Sequence, residues 1–297
     1  MSSPQQQKIS APKGTVDFFP AETWKWQAVE RIARETARLY HFEEIRTPIF
    51  EHSELFHRGV GETTDIVHKE TYTFDDRGGR SLTLRPEGTA GVVRAMIESG
   101  ALNDQGAREK VYYIGPNFRY ERPQKGRYTQ HHQFGVEAFG VAEPEQDVEC
   151  ILLQLDFYRR CGLKDILLEV NSLGDRESKV KIAEYIRETL GPKRSSLSDE
   201  SQRRLDQNPI RILDSKDPRD RELTSKLFTS AVPLSAKSDA YLQRVLTLLG
   251  TAKLEERGVK WHYSAKLVRG FDYYTETLWE VTTSGLGSQN AIGGGGR

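Results

Sequence analysis

The sequence is 297 residues long, enough for one large domain or two ordinary ones with a sizeable core. Hydrophobic residues make up 36%, and the longest apolar stretches, such as Cys150-Ile151-Leu152-Leu153, fall far short of the roughly 18 residues of a membrane-spanning helix, so no membrane role is expected. Lys plus Arg and Asp plus Glu are equal at 43 each, so any nucleic-acid contact has to come from a local basic patch and not from the overall field. The opening residues 1–10 are polar and Gln-rich and read as a disordered tail. Residues 22–40 place Val29, Ile32, Ala33, Thr36 and Tyr40 at helical spacing, and 42–48 alternates and stops at Pro48 as a terminal strand would. Ser81-Leu82-Thr83-Leu84 is strand-like and runs into a helix over 86–100, with Thr89 as its N-cap and Gly100 at its end.

Residues 111–120 and 132–139 read as two strands of a hairpin, joined by Glu121-Arg122-Pro123-Gln124-Lys125-Gly126-Arg127-Tyr128. Three basic residues against one acid make that loop positive on a neutral chain. A helix over 147–158 follows, with Val148, Ile151, Leu152 and Leu155 on one face. From 174 to 262 the texture turns polar, charged and helical, including helices over 179–190 and 239–257, and this stretch is expected to be an inserted helical subdomain. It separates a first part of the core, 11–173, from a second, 263–297, which returns to strand composition at 278–283 and stops on a glycine run. Mixed strands and helices without strict alternation point to an α+β fold around an antiparallel sheet. The two cysteines, Cys150 and Cys161, form no Cys-x-x-Cys pair, and no apolar leader follows Met1, so a reducing cytosol is the expected compartment.

Side chains alternate across a strand, so Gln133, Gly135 and Glu137 share one face while Phe134, Val136 and Ala138 share the other. The hairpin can bring Arg119 and Glu121 beside Gln133 and Glu137. Arg85-Pro86-Glu87-Gly88-Thr89 places an acid and a hydroxyl at a helix mouth, where an amine can dock. Leu267-Val268-Arg269-Gly270-Phe271-Asp272-Tyr273-Tyr274 adds an arginine, a glycine that admits a ligand, an acid and two tyrosines. Taken singly, these residues have ordinary readings as a solvated sheet face, a cap, a surface ion pair and core tyrosines. No phosphate-loop motif and no His-Glu-x-x-His occurs, and the adjacent His131 and His132 point to opposite strand faces, which argues against a metal site.

These segments, together with Gln133-Phe134-Gly135-Val136-Glu137, the opening Ala11-Pro12-Lys13-Gly14-Thr15-Val16-Asp17-Phe18 and Arg46-Thr47-Pro48, resemble the histidyl-tRNA synthetase family in order along the chain. The resemblance implies a class II synthetase-like core, an antiparallel sheet flanked by helices, working as a homodimer on histidine, ATP with Mg2+, and tRNA(His). It implies that Arg119 grips the α-phosphate and Arg269 reaches the reacting carboxylate and phosphate from the other side. Glu137 and Tyr274 would read the imidazole with Tyr273 beside them, and Glu87, Thr89 and Gln133 would hold the α-amino group. Glu121 and Arg127 match positions near adenine and the outer phosphates, and His131 stands where the family stacks an aromatic ring on adenine. The insertion at 174–262 would clasp the tRNA acceptor arm. The family continues past the last residue here into a third motif with an ATP-binding arginine and an anticodon-binding domain, so the expectation is a catalytic-core fragment that binds histidine and adenylates it poorly. The rival reading is a non-catalytic histidine sensor resembling the regulatory subunit of ATP phosphoribosyltransferase, for which the retained Arg119 and the long insertion would serve no purpose. A histidine-binding domain fused to a kinase regulator would need a longer parent chain.

Overall fold

Three small sheets carry the fold in the computed structural model, which describes residues 9–60, 70–120, 128–228, 232–271, 273–286 and 290–297. The hairpin β5 (Glu109–Phe118) and β6 (Gln130–Phe139) is antiparallel, and β1 (Glu43–Glu44) adds to it in parallel. A second sheet orders β10 (Ala291–Gly296), β9 (Glu276–Thr283), β7 (Ile166–Gly174) and β8 (Val259–Tyr263), with only β7 and β8 parallel. The third is β2 (Phe50–His52), β4 (Ser81–Leu84) and β3 (Tyr72–Asp75), all antiparallel. This is the mixed helix-and-sheet, largely antiparallel architecture expected from the sequence. The tail expected over 1–10 falls, for residues 1–8, outside the described residues.

Helix α1 (Pro20–Leu39) begins with proline at its first position, where no backbone donor is lost, and covers the hairpin's apolar face. Its buried stripe is Ala33, Thr36 and Ala37. Val29, expected on that stripe, is 45% exposed, because the small alanines let the helix approach Tyr112, Phe134 and Val136 closely on a rotated face. Helix α3 (Thr89–Ser99) lies against the opposite face, and helix α2 (Ser53–Val60) packs on α3 through Phe56 and Ala90. Val92 and Met96 of α3 pack on Val111 and Tyr113 of β5. Gly100 ends α3 in the left-handed conformation at φ 72°, as the sequence predicts. Thr89 is not its N-cap: Gly88 occupies that position without a side-chain bond, and the Glu87 carboxylate accepts from the first free amides instead.

Helix α4 (Pro144–Arg160) is buried on two sides, meeting the hairpin through Leu153 and the four-stranded sheet through Ile151, Leu155 and Tyr158. The region expected as one helical insertion divides between two apolar clusters. Helices α5 (Arg176–Leu190), α6 (Asp199–Gln207) and α7 (Pro218–Thr224) close around Ile186, Leu190, Leu197, Ile212 and Leu227, a separate helical module. Helix α8 (Ala236–Thr251) instead packs Val245 and Leu249 on Leu168, Val170 and Val281, and β8 pairs with β7, so both belong to the sheet. Each fully buried leucine or isoleucine contributes about 1.5–3 kcal/mol, so the module has an apolar core of its own. The final glycine run is neither linker nor phosphate loop. It forms β10, paired from Gly293 to Gly296 against Val281 to Leu278 of β9.

Candidate active site

The site face of the hairpin follows from its register. Opposite residues of an antiparallel pair share a face, and Val111, Tyr113, Gly115 and Asn117 stand opposite Glu137, Gly135, Gln133 and His131. The other face, with Tyr112, Ile114, Phe134 and Val136, is committed to α1 and α4. Polar side chains therefore collect where α3 begins.

Thr89 joins two acids there. Its hydroxyl donates to Glu137 Oε1 at 2.6 Å, while its backbone amide donates to Glu87 Oε2 at 2.8 Å and the Ala90 amide donates to Glu87 Oε1 at 2.7 Å. Glu87 is only 3% exposed. Burial pushes its carboxyl above the ordinary range, against the two amides, the threonine and the positive field of Arg119, all of which favour the ionised form. Glu137 is pushed up to about 8, chiefly by burial and further by Glu87, although bonds from Thr89 and Tyr113 oppose the shift. Glu137 retains partial solvent access while surrounded by protein, the condition of a carboxyl on the floor of an open pocket.

Three aromatic rings form the next wall. Phe271 and Tyr273 stack at 5.1 Å with an interplanar angle of 11°, and Tyr274 meets Tyr273 edge-on at 4.8 Å. Both phenols are raised above their ordinary value by burial first, and both feel Glu87 and Glu137. Arg119 donates its Nε–H to the Pro86 carbonyl at 2.8 Å and lays its guanidinium 5.8 Å above the Phe271 ring. Arg269, from the same loop as the aromatics, pairs with Glu280 of β9 at 2.7 Å, and its buried Nε–H has no hydrogen-bond partner among the described residues. The loop lies over bare backbone: a Cβ on Gly294 would fall 2.8 Å from Arg269 Nη1, and one on Gly296 would fall 2.5 Å from Tyr274 Cδ1.

Of the residues picked from sequence, Glu87, Thr89, Glu137, Tyr273, Tyr274 and Arg119 form one connected cluster. Gln133 lies along the same face and accepts from Asn117 Nδ2 at 2.6 Å. His131 stands opposite Asn117 at the open end, while His132 turns to the other face and packs on Trp26, as the alternation predicts. Arg269 borders the cluster through Tyr274, whose hydroxyl it pulls downward. Glu121 and Arg127 lie outside the described residues. Sequence reasoning missed Tyr113, 5% exposed and raised above the ordinary phenol value by burial, then by Glu137 and Glu87. Its signal was the neighbouring glycines, since Cβ atoms on Gly88 and Gly135 would fall 2.2 and 2.3 Å from its ring. Gly135→Ala is therefore expected to push Tyr113 off Glu137 and cost about 1–3 kcal/mol in urea unfolding. Combining it with Tyr113→Ala should cost less than the sum of the two, and additivity would show that the ring is not what the glycine accommodates.

Chemically, two buried acids drawn together by one threonine favour a ligand rich in N–H donors, which relieves the mutual repulsion of the carboxyls. The arginines beside the aromatic wall suit an anion. Among the described residues no cluster of three metal-ligating side chains occurs.

The sequence model of the histidyl-tRNA synthetase family matches residues 14–297. A histidine–tRNA ligase from Anoxybacillus flavithermus is 48% identical over 288 residues, 96% of this chain and 67% of that protein. The corresponding ligase of Bacillus subtilis is 46% identical over 288 residues, again 96% and 67%. The chain thus spans about two thirds of the length of these curated relatives. Among solved structures, apo histidyl-tRNA synthetase of S. aureus superposes with a TM-score of 0.71 at 35% identity, covering 97% of this chain and 66% of that one. An ATP phosphoribosyltransferase regulatory subunit/histidyl-tRNA synthetase from Bacillus halodurans shares the fold at 21% identity, with a TM-score of 0.67 and coverage of 98% and 76%. A match over nearly the whole chain, added to an acid, threonine and tyrosine cluster on the site face of the hairpin, assigns this chain to the histidyl-tRNA synthetase family.

Proposed function

We propose that the chain is the amino-acid-activating core of a histidine–tRNA ligase, condensing histidine with ATP into histidyl-adenylate and passing the histidyl group to tRNA(His). The observation that carries this reading is Glu137, a carboxyl with its pKa near 8, bonded to Thr89 and flanked by tyrosines. An imidazole bringing its own N–H satisfies that carboxyl, whereas an apolar side chain of the same size leaves it unpaired. Tyr273 and Tyr274 enclose the ring. Glu87, with Thr89 and Gln133, takes the α-amino group of the substrate.

The substrate carboxylate oxygen then attacks the α-phosphorus of ATP, a phosphorus–oxygen bond to it forms, and pyrophosphate leaves with the bond to its bridging oxygen. No proton needs to move. What the step requires is neutralisation of charge building on the α-phosphate, and Arg119 and Arg269 supply two fixed cations from separate segments. Mg2+ is read here as travelling with ATP, as part of the substrate complex. His131 lies on the same face for the adenine, and Glu121 and Arg127, outside the described residues, are assigned to the nucleotide by the resemblance alone. The basic hairpin loop and the helical module are the surfaces proposed for tRNA. A homodimer belongs to the reading as well, with the outward side of α1, where Val29 is 45% and Trp24 60% exposed, as the surface to bury.

Histidine-dependent exchange of labelled pyrophosphate into ATP tests the proposal directly on the 297-residue chain. Exchange with histidine, well below that of a full-length relative, and none with phenylalanine is expected. Histidine binding without any exchange, in this chain and in one extended to the full length of its relatives, would select the sensor reading instead. Arg119→Met should lower the exchange rate about 100- to 1,000-fold, in line with loss of one pre-positioned charge, while the histidine Kd by calorimetry stays within about threefold. A tenfold loss of histidine affinity in that variant would move Arg119 from the phosphate to the amino acid.

A further inference from the structure

Residues 264–275 carry Arg269, Phe271, Tyr273 and Tyr274 and form no regular element between β8 and β9. The sheet holds the root of this loop. The Ser264 amide donates to the Val170 carbonyl at 2.8 Å, and the buried Asn171 side chain donates to the carbonyls of Ala265 and Leu267 at 3.3 and 2.8 Å. Two further struts reach it from the helical module. Arg211 Nη1 donates to the Arg269 carbonyl at 2.9 Å, and Lys266 Nζ donates to the Ser225 carbonyl at 2.6 Å.

Arg211 is itself fixed. Its amide donates to the Asn208 carbonyl at 3.1 Å, its carbonyl accepts from Arg204 Nη1 at 3.2 Å, and its neighbour Ile212 is wholly buried in the module's core. Between module and loop lies a cavity of about 210 Å³, lined by Lys179, Asn208 and Arg211 on one side and Val268, Arg269 and Phe271 on the other. Ala265, at the loop's root, packs on the module's apolar cluster, and beyond it the cavity, which Leu173 and Ile210 also line, separates the two. The charge-assisted bond across it therefore governs where the Arg269 backbone sits, while the Arg269 side chain is set independently by Glu280.

We propose that Arg211 is a positioning residue for histidine activation, its guanidinium holding the Arg269 carbonyl so that the helical module sets the placement of the phosphate-facing loop. The proposal rests on the activating function given above. Because Arg269 acts in the transition state, while Glu137 and Thr89 stand on the hairpin and α3 and Tyr274, on the same loop, is seated separately against Gly296 of β10, loss of the strut should lower kcat more than it raises the KM for histidine.

The test compares Arg211→Met and Arg211→Lys in the full chain by amide hydrogen exchange and by histidine-dependent pyrophosphate exchange. For Arg211→Met the expected results are at least tenfold faster amide exchange in residues 266–271, an unchanged module core, a kcat lower by about tenfold and a histidine KM within about twofold. Arg211→Lys, which retains a donor, should recover part of both losses and serves as the deciding variant if Arg211→Met does not fold. Unchanged amide exchange in the loop, or equal changes in kcat and KM, would overturn the proposal. A parent chain without pyrophosphate exchange even when extended to the full length of its relatives would refute the activating function, and the amide exchange rates would still decide whether Arg211 holds the loop.

Discussion

Glu137→Gln is expected to weaken histidine binding by about 30- to 1,000-fold and, in the same protein, to raise the melting temperature without ligand. The loss follows from removing a carboxyl that gives up its proton to meet an imidazole N–H as a charged acceptor, which an amide cannot do, and weakening such a hydrogen-bonded pair in a largely desolvated site costs about 2–4 kcal/mol. The gain follows from the pKa, raised from an ordinary 4.5 to about 8. In the unfolded chain the carboxyl ionises near the lower value, and in the folded chain it keeps its proton up to the higher one. Between the two the folded state binds the extra proton, so this group lowers stability progressively as pH rises through that window and most fully above it. At pH 7 the penalty is on the order of 3 kcal/mol, and a neutral amide of the same shape removes it. Scanning calorimetry should show a melting point higher by roughly 5–10 °C and a flatter dependence on pH between 5 and 8. Opposite movements of affinity and stability are the signature of a carboxyl retained for a ligand at the fold's expense. Unaltered histidine affinity, or an equal loss of ATP affinity, would take Glu137 out of the amino-acid pocket.

Asp220→Ala is the substitution expected to damage the helical module most. The Asp220 carboxylate is fully buried, accepting from the Ser198 amide at 2.8 Å and from the hydroxyls of Ser198, Ser201 and Ser215 at 2.7, 2.6 and 2.6 Å. It thereby ties the start of α6 and the segment before α7 to α7 itself. Truncation strands several donors in an enclosed space, for about 3–5 kcal/mol. Because the module has its own apolar core, the loss should appear there first: faster amide exchange at Ile182 and Leu205 with β7 and β9 unchanged. Burial works to raise the Asp220 pKa, but the serine hydroxyls and the Ser198 amide outweigh it and hold the carboxyl below its usual 3.8. The sign is therefore the reverse of that at Glu137. This stabilisation is complete above the unfolded value and fades as pH falls through the lower folded one, so the module should loosen at acid pH before the sheet does. Asp220→Asn keeps one acceptor and should lose less while abolishing that acid response. An Asp220→Ala chain whose module exchanges like the parent's would show that water replaces the carboxylate.

The face of β6 that holds Gln133 and Glu137 was legible because alternation needs no knowledge of tertiary structure. The partner strand was legible too, but not its register, and register is what places Tyr113 beside Gly135 and under Glu137. Helix α1 could be placed by its period, whereas its phase was misread at Val29, since a stripe of alanines decides close approach better than a larger apolar residue does. Thr89 and Glu87 were correctly picked as a helix-mouth pair with their duties exchanged: the acid caps the amides and the hydroxyl serves Glu137. Local signals gave the residue types, and only packing could decide which donor faced which acceptor. Glu280 and Arg211 carried no signal, because each matters through a contact with Arg269 that spans distant sequence. The glycines of β10 misled, having no side-chain pattern to read, and their strand exists through pairing with β9.

That bare strand has a consequence for how the family can vary. Tyr158 and Gln154 lie over Gly293, the Trp279 carbonyl and Arg269 over Gly294, the Trp279 ring over Gly295, and Tyr274 with the Thr277 carbonyl over Gly296, so four consecutive positions each surrender their volume to a neighbour. A methyl group gained at Gly293 or Gly295 demands smaller side chains across from it, whereas at Gly294 and Gly296 it also meets a backbone carbonyl that no exchange of side chain removes. Drift along this stretch should accordingly proceed by linked exchanges at Gly293 and Gly295, with Gly294 and Gly296 held as glycine.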